Sequence, residues 1–369
     1  MPLYDIVPVQ GNPRNSEGAF ILTKSEELLF AYSSFRGDSA RDYTCADIKI
    51  IRSLDYGETW SEPCVIATPE DYGAMNIMSV SMISMRNGDI GLFYLVRMNW
   101  LDMYIVLQRS TDQGRTWGQP KHCSVRKGYF VMNNDRVFRS SSGRIILPVA
   151  EHVNTIGTNG KVNFVPSQTI FFISDDDGQT WQEAPSKLSI HYSTSHSGLQ
   201  EPGVVELSSG HLYGWARTDL GRQYEFYSDD DGLNWSQLQP SRFTSPLSPL
   251  SMKQLSSGHL IAIWNPIPPN NLTIENRATG NRTPLVYSIS TDHGKTWAPP
   301  TIVENDPNCG YCYTAIFQAH DKILLAYCAG SEEDLGSCLN RLRIRDISVD
   351  AEMTEEVINP PHCMGIGFT

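Results

Sequence analysis

The stretch SDDDGQTW at residues 174–181 places three aspartates, a glycine and a tryptophan within eight positions. Such a run of acids suits either a metal-binding loop or a tight turn. Its pattern recurs in SLDYGETW at 53–60, STDQGRTW at 110–117, SDDDGLNW at 228–235 and STDHGKTW at 290–297. The octets begin roughly 60 residues apart, and a motif that recurs at such a spacing indicates a repeat architecture.

The octets favour a turn over a metal loop. Of the three acids in SDDDGQTW, only Asp176 has a counterpart in every copy. A calcium loop needs several oxygen ligands, so one recurring acid is too few. In a turn, the aspartate accepts backbone N–H bonds, the glycine allows positive φ, and the tryptophan can be buried against a sheet. We therefore expect five structural turns and no metal site.

The segments between the octets read as β-hairpins. Each has two apolar strands around a tight turn, and a third strand then leads into the octet. The hairpins lie at 19–32, 79–96, 135–150, 203–216, 251–264 and 314–327. Helical periodicity is nearly absent. Six antiparallel units of this kind predict an all-β fold, a six-bladed β-propeller that forms one domain over residues 1–369.

Composition narrows the class of function. The chain has 369 residues and a net charge of −12, which argues against nucleic-acid binding because phosphate contacts require a basic surface. It has no apolar run long enough to predict a membrane span. The first residues show no signal-peptide pattern, which predicts a cytoplasmic protein. The eight cysteines are scattered, so we expect reduced thiols and neither a metal nor a cofactor.

Because the strands of each unit are antiparallel, the connecting loops lie alternately at the two opposite ends of the unit. The positions before the first strand, after the second and before the third share one end of each unit, and the octets lie at the other end. The polar residues at the shared end are Arg14, Glu17, Arg36, Asp38, Asp42, Asp47, Arg97, Asn133, Asn134, Asp135, Glu151, His152, Glu201, Arg217 and Arg282, with Tyr311 beside them. Five arginines at one mouth of an acidic protein suggest a grip on a carboxylate, because the guanidinium binds carboxylates through two parallel hydrogen bonds.

Three segments and the octets together resemble the sialidase (neuraminidase) superfamily, also called the Asp-box or BNR-repeat proteins. EPGVVELSSGHLYGWAR at 201–217 is similar to the segment with a catalytic glutamate and a substrate-binding arginine, which implies Glu201 and Arg217. RTPLVYSISTDHGKTW at 282–297 implies Arg282 as a second substrate-binding arginine. GYCYTAIFQAHDKILLAY at 310–327 resembles the segment with the nucleophilic tyrosine, which implies Tyr311.

The first unit departs from the family pattern. Where the family has Arg-Ile-Pro, this chain has PRNSEGAF, so that Arg14 matches with two residues inserted and Glu17 has no counterpart. Asp42 matches the general acid by its distance from the octet, with Asp38 and Asp47 as alternatives. Cys328 stands where the family often has an acid.

The resemblance implies a retaining exo-glycoside hydrolase that removes a terminal sialic acid or a related acidic 2-keto sugar. Tyr311 would be the nucleophile, Glu201 its base and Asp42 the acid/base. Arg14, Arg217 and Arg282 would hold the substrate carboxylate and Arg36 a neighbouring group. The alternatives are a lyase, a transferase or a hydrolase of another acidic sugar on the same fold, and a non-catalytic glycan-binding propeller. The expected partner is a carbohydrate, and the sequence gives no oligomeric state.

Overall fold

The computed structural model describes residues 3–191, 194–208, 210–269 and 279–348. Within these ranges the regular structure is almost entirely β-strand, with a short 3-10 turn at Pro69–Tyr72. The prediction of an all-β chain is therefore confirmed. In these same ranges no helix has the length and apolar character needed to cross a bilayer. The end of the predicted domain, with Cys363, lies outside the described residues.

The strands form antiparallel units that begin with the predicted hairpins. Strand β1 (Leu3–Ile6) precedes the first unit and belongs to the last one. In the first unit, neighbouring strands pair in chain order: β2 (Arg14–Leu22), β3 (Leu28–Phe35), β4 (Ala46–Ser53) and β5 (Cys64–Ala67).

The second and third units are joined. The second contains β6 (Asn76–Ser84), β7 (Ile90–Asn99), β8 (Asp102–Ser110) and β9 (Lys121–His122). The third unit contains β10 (Tyr129–Val131), β11 (Phe138–Arg139), β12 (Ile145–His152), β15 (Gln168–Ser174) and β16 (Gln182–Glu183). Between β12 and β15 the chain forms a small hairpin of β13 (Thr155–Ile156) and β14 (Val162–Asn163). Because β10 pairs with both β8 and β12, the two units share one nine-stranded sheet.

The remaining three units have four strands each. The fourth unit contains β17 (Gln200–Ser208), β18 (His211–Arg217), β19 (Arg222–Ser228) and β20 (Gln239–Thr244). The fifth contains β21 (Ser251–Gln254), β22 (Leu260–Trp264), β23 (Leu285–Ser290) and β24 (Thr301–Glu304). The sixth contains β25 (Cys312–Ala319), β26 (Lys322–Cys328) and β27 (Leu342–Ile347), together with β1. The arrangement fits a β-propeller, although none of the sheets of the described residues closes on itself.

The octets are hydrogen-bonded turns. In the third copy the Ser174 hydroxyl donates to Asp176 (2.9 Å) and accepts from the Gly178 N–H (2.8 Å). The N–H and the hydroxyl of Thr180 donate to the two carboxylate oxygens of Asp176 at 2.8 and 2.6 Å. These bonds lower the pKa of Asp176 to about 2, with the Thr180 hydroxyl as the largest cause. Trp181 packs edge to face on Phe93 of the preceding unit, so the octet joins neighbouring units.

A repeated backbone irregularity prepares the site. Five residues at the start of a unit have positive φ although they are not glycine: Glu17, Ser79, Asp135, Glu201 and Tyr313. Four of them lie where the register between the first two strands shifts, as in a β-bulge. A left-handed residue with a side chain costs about 1–2 kcal/mol, and bulges are used to redirect side chains. The fold therefore turns several polar side chains at equivalent positions away from the normal strand alternation.

Candidate functional site

A cavity of about 760 Å³ lies at the ends of the units from which the octets are absent. Four of the bulge residues line it: Glu17, Ser79, Glu201 and Tyr313. Side chains from other strands and from the connecting loops complete the lining, and no octet residue contributes. The volume is in the range of small-molecule binding sites. The bulges thus direct a set of titratable groups into one concave space.

A tyrosine and a glutamate form the centre of the site. The Tyr313 hydroxyl donates a hydrogen bond of 2.9 Å to Oε1 of Glu201. Nη1 of Arg217 lies 2.9 Å from the other Glu201 oxygen and 3.5 Å from the Tyr313 hydroxyl. The guanidinium of Arg282 lies over the Tyr313 ring, 5.3 Å from its centroid. Two cations therefore flank one tyrosine–carboxylate pair.

Burial sets the protonation state of this tyrosine. Desolvation is the largest cause that raises the pKa of Tyr313, and the negative charge of Glu201 adds to it. Arg282 and Arg217 act in the opposite direction without reversing the shift. The hydroxyl is therefore neutral at ordinary pH and can become a nucleophile only if a base takes its proton. Glu201, already hydrogen-bonded to it, is placed to do so.

Tyr311, the tyrosine predicted from the sequence, lies elsewhere. Its side chain is buried, packs edge to face on Tyr327 with ring centroids 6.2 Å apart, and does not line the cavity. The predicted pairing of Tyr311 with Glu201 is therefore wrong, and Tyr313 takes that place. The bulge between Cys312 and Ala315 is the physical reason.

A sequence signal for Tyr313 existed in the repeat itself. When the first strands are superimposed, Tyr313-Thr-Ala-Ile stands in register with Glu201-Pro-Gly-Val. Both residues have positive φ at a register shift. Gly203 and Ala315 are the small residues at which the strand pairing resumes after the shift. Aligning the hairpins at these two residues, rather than by the family segment as a whole, would have selected Tyr313.

Arg14 lies at the cavity with its donors already engaged. It is 1% exposed, and its Nε donates to Ser16 while Nη2 donates to Glu17 at 2.7 Å. Nη1 donates to the Asp42 carboxylate and, at 3.3 Å, to the carbonyl of Ala40. The side chain of Asp42 is 57% exposed. A substrate carboxylate would therefore compete with Asp42 for Arg14.

The two carboxyl groups on Arg14 have opposite pKa shifts. For Glu17, desolvation is the largest effect and raises the pKa, because the side chain is almost fully buried. For Asp42, desolvation also acts upward, but attraction and hydrogen bonding from Arg14, helped by Arg97 and Arg282, outweigh it and lower the pKa. In this state Asp42 is ionised and cannot donate a proton.

Arg36 and Asp47 lie outside the cavity lining. Nε of Arg36 donates to Asp47 at 2.9 Å, and its Nη2 donates to Glu70 at 2.7 Å. The prediction that Arg36 contacts the substrate is therefore wrong for this structure, because two carboxylates hold it away from the cavity. Asp38, the other alternative to Asp42, does line the cavity.

Arg97 is the cation that the sequence-based assignment left without a role. It lines the cavity, its Nη1 donates to the carbonyl of Asp42, and its guanidinium lies 5.4 Å from the Trp100 ring centroid. Asn133 and His152 also line the cavity. Burial is the main cause that lowers the pKa of His152 to about 4, so this imidazole is neutral.

Asn134 and Asp135 hold the backbone together near the site. The amide of Asn134 donates to the carbonyls of Gly18 and Tyr313 at 2.8 and 3.1 Å, and Asp135 accepts from the Ile316 N–H at 3.0 Å. Within the described ranges no group of three or more His, Cys, Asp or Glu side chains is placed to hold a metal ion.

Comparisons with known proteins bear on the family and the fold. Residues 26–325 match the BNR repeat-like domain family. A sialidase from Bacteroides fragilis is 24% identical over an aligned length of 326, and the match covers 79% of this chain and 56% of that protein. This chain thus spans little more than half the length of that relative.

Solved structures show the same fold. A Hadza microbial sialidase superimposes with a TM-score of 0.69 at 16% identity, covering 92% of this chain and 66% of that one. A protein of unknown function from Dyadobacter fermentans gives a TM-score of 0.69 at 17% identity, covering 94% of this chain and 99% of that one. The family match covers most of the chain, and the chain therefore belongs to the BNR repeat-like domain family.

Proposed function

We propose that this protein is a retaining exo-glycoside hydrolase that removes a terminal acidic sugar, sialic acid first among the candidates. The observation that carries the proposal is the hydrogen bond of 2.9 Å between the Tyr313 hydroxyl and Glu201 inside the cavity, with Arg217 and Arg282 beside it. A neutral nucleophile paired with a base suits a substrate whose anomeric carbon bears a carboxylate, because an anionic nucleophile would be repelled there.

The proposed first step breaks the glycosidic bond and forms a bond to tyrosine. The Tyr313 oxygen attacks the anomeric carbon while Glu201 accepts the phenolic proton, and Asp42 protonates the departing oxygen. In the second step Asp42 removes a proton from water, which attacks the same carbon. Tyr313 then leaves and regains its proton from Glu201. Two inversions at one carbon give net retention.

Arg14 couples substrate binding to the protonation of Asp42 in this scheme. Without substrate, Arg14 keeps Asp42 ionised. A substrate carboxylate that binds Arg14 displaces Asp42 and removes the attraction that lowers its pKa. The pKa of Asp42 then rises, and the group can hold the proton that the leaving oxygen needs. Arg217 and Arg282 lie beside the Tyr313–Glu201 pair but outside the cavity lining, and in this scheme they would complete the carboxylate grip from there.

Sialic acid as the substrate is supported by the names of the relatives, which are called sialidases. One observation favours a second candidate, the hydrolysis of a different acidic sugar. Glu17 already occupies one edge of Arg14 and places a further carboxyl group at the cavity wall. A substrate whose acidic group is placed differently from that of sialic acid would fit a cavity that contains this additional carboxyl group.

Covalent trapping tests the proposal. A 3-fluoro sialosyl fluoride should label the wild-type protein, and mass spectrometry should locate the label on Tyr313. Tyr313→Phe should not be labelled and should lose nearly all turnover of aryl sialosides, whereas the matched control Tyr311→Phe should keep both. An unsaturated product with no label would indicate a lyase. A label on Tyr311, or full activity of Tyr313→Phe, would refute the mechanism.

We further infer that the six strand units are the blades of one propeller, and that residues 1–369 form one cytoplasmic domain. The pairing of β1 with β27 supports a ring, because the last sheet then contains strands from both ends of the described chain. Contacts between the first strands of consecutive units support it as well, for example those between β2 and β6 and between β2 and β25.

A further inference from the structure

A second cleft, of about 510 Å³, lies on the octet side between the fourth and fifth strand units. Tyr213 and Tyr227 contribute from the fourth unit, and Phe243 lies at its last strand. His293, Lys295 and Trp297 of the octet 290–297 close the other side. This cleft shares no lining residue with the cavity of the proposed active site.

At the first three boundaries between consecutive units an arginine spans the equivalent gap. Arg52 and Arg109, which directly precede an octet serine, donate to the main-chain carbonyls of Gly114 and Asp177 in the next octet. Arg144, the residue before β12, reaches the carbonyl of Asp231 in the same way, at 2.9 Å. The long guanidinium side chain fills the space and ties one unit to the next.

Both bridging positions are different in the fourth unit. Tyr227 precedes the octet serine where Arg52 and Arg109 stand in other units, and His211 occupies the position of Arg144. His211 keeps the local contact with a carboxylate, with its Nδ1 2.7 Å from Asp229, but its side chain is shorter than that of arginine and forms no bond to the next octet. Within the described residues no arginine bonds to the main chain of the octet 290–297, and the gap remains open.

The lining has the chemistry of a sugar site. Tyr227 is 37% exposed, and Trp297 is partly buried and packs edge to face on Phe243. Aromatic faces bind the C–H surfaces of pyranose rings. The carboxyl group of Glu225 accepts from Tyr213 at 3.0 Å and from Tyr227 at 3.3 Å, so that its remaining lone pairs can accept sugar hydroxyls.

Two cations at this cleft are available for an acidic substituent. The side chains of Arg242 and Lys295 line it and form no hydrogen bond or ion pair with any other residue that the structure describes. Most other arginines of the octet side are held by carboxylates or carbonyls, as Arg144 is by Asp175. We propose that this cleft, defined by Tyr213, Tyr227, Glu225, Arg242, Lys295 and Trp297, is a second, non-catalytic binding site for a carboxylate-bearing pyranose.

Two matched glycosides test this site without using catalytic activity. Methyl β-D-glucuronide and methyl β-D-glucoside differ only in the carboxylate. Titration of the wild-type protein with the glucuronide should shift the indole N–H resonance of Trp297, identified by its loss in Trp297→Phe. The glucoside should bind at least about tenfold more weakly, because it lacks the group that Arg242 and Lys295 bind. No shift with either glycoside, or equal affinity for both, would overturn the proposal.

Variants test whether Tyr227 and Lys295 belong to this second binding site. Tyr227→Arg restores the bridging residue of the other units and should close the cleft, abolishing the Trp297 shift while leaving glycoside hydrolysis unchanged. Lys295→Gln should weaken glucuronide binding about tenfold or more. Lys121→Gln, which removes an equal charge at another octet, should leave it unaffected. Undiminished binding in folded Tyr227→Arg, or equal losses in the two lysine variants, would contradict the assignment.

Discussion

At the scale of single residues, Arg14 sets the charge state of its neighbours. Because its guanidinium lowers the pKa of Asp42, replacing Arg14 with Gln should raise the titration midpoint of Asp42, followed by carboxyl-carbon NMR. Arg36→Gln is the control, since Arg36 bonds to Asp47 and Glu70 instead. An unchanged midpoint in Arg14→Gln, or an equal change in Arg36→Gln, would show that the pair does not govern Asp42.

A second residue-scale prediction concerns the arginine that flanks the tyrosine. Arg217→Lys keeps a positive charge but loses the planar guanidinium, whose Nη1 contacts Glu201 and the Tyr313 hydroxyl while its Nε and Nη2 donate to Gln200. We expect a loss of kcat/KM of at least about tenfold on an aryl sialoside, which is about 1.4 kcal/mol of transition-state stabilisation. Steady-state kinetics measure it. Activity equal to that of the wild type would remove Arg217 from the substrate grip.

At the scale of the structural element, the octet depends on its recurring aspartate. Asp176→Ala removes the acceptor of bonds from Ser174 and Thr180, so the free energy of unfolding should fall by roughly 1–2 kcal/mol in urea. Asp175→Ala, at the variable neighbouring position, should cost less because its partner Arg144 forms an exposed ion pair with it. Equal losses would mean that the octet is not held by its recurring acid.

The same aspartate predicts a pH dependence of stability. Its pKa is lowered to about 2 in the folded protein, against about 4 for an unperturbed aspartate. The unfolded chain therefore binds a proton before the folded one does. The contribution of Asp176 is complete above pH 4 and is lost as the pH falls through 2. The difference in unfolding free energy between wild type and Asp176→Ala should shrink over this range, as urea titrations at each pH would show.

At the scale of the whole molecule, β1 links the beginning of the chain to the last sheet. It pairs with β27, and Asp5 forms two hydrogen bonds of 2.9 Å with Arg343. Deleting residues 3–6 should lower the free energy of unfolding by roughly 2–4 kcal/mol and expose a sheet edge prone to association. Asp5→Asn, which removes only the ion pair and keeps the strand pairing, should cost less than the deletion. Calorimetry and light scattering measure both effects, and a deletion without effect would argue against ring closure.

The sequence alone determined the local features of the fold. The octets and hairpins repeat visibly because a turn and a strand pair are specified by neighbouring residues: a hydroxyl, an aspartate and a glycine at fixed spacing, followed by alternating apolar positions. The same regularity located the ends of the units at which Glu201, Arg14 and Asp42 line one cavity. It also located Arg217 and Arg282, which lie beside the Tyr313–Glu201 pair.

The tertiary structure alone decided which side chain of each loop faces the cavity. Tyr311 and Tyr313 are two residues apart, and the bulge at Tyr313 gives its hydroxyl, not that of Tyr311, to Glu201. Arg36 has the right loop and charge, but Asp47 and Glu70 from other segments hold it elsewhere. A bulge depends on the packing of the first strand among its neighbours, and an arginine follows whichever carboxylates the fold brings within reach. Neither is specified by residues adjacent in the chain.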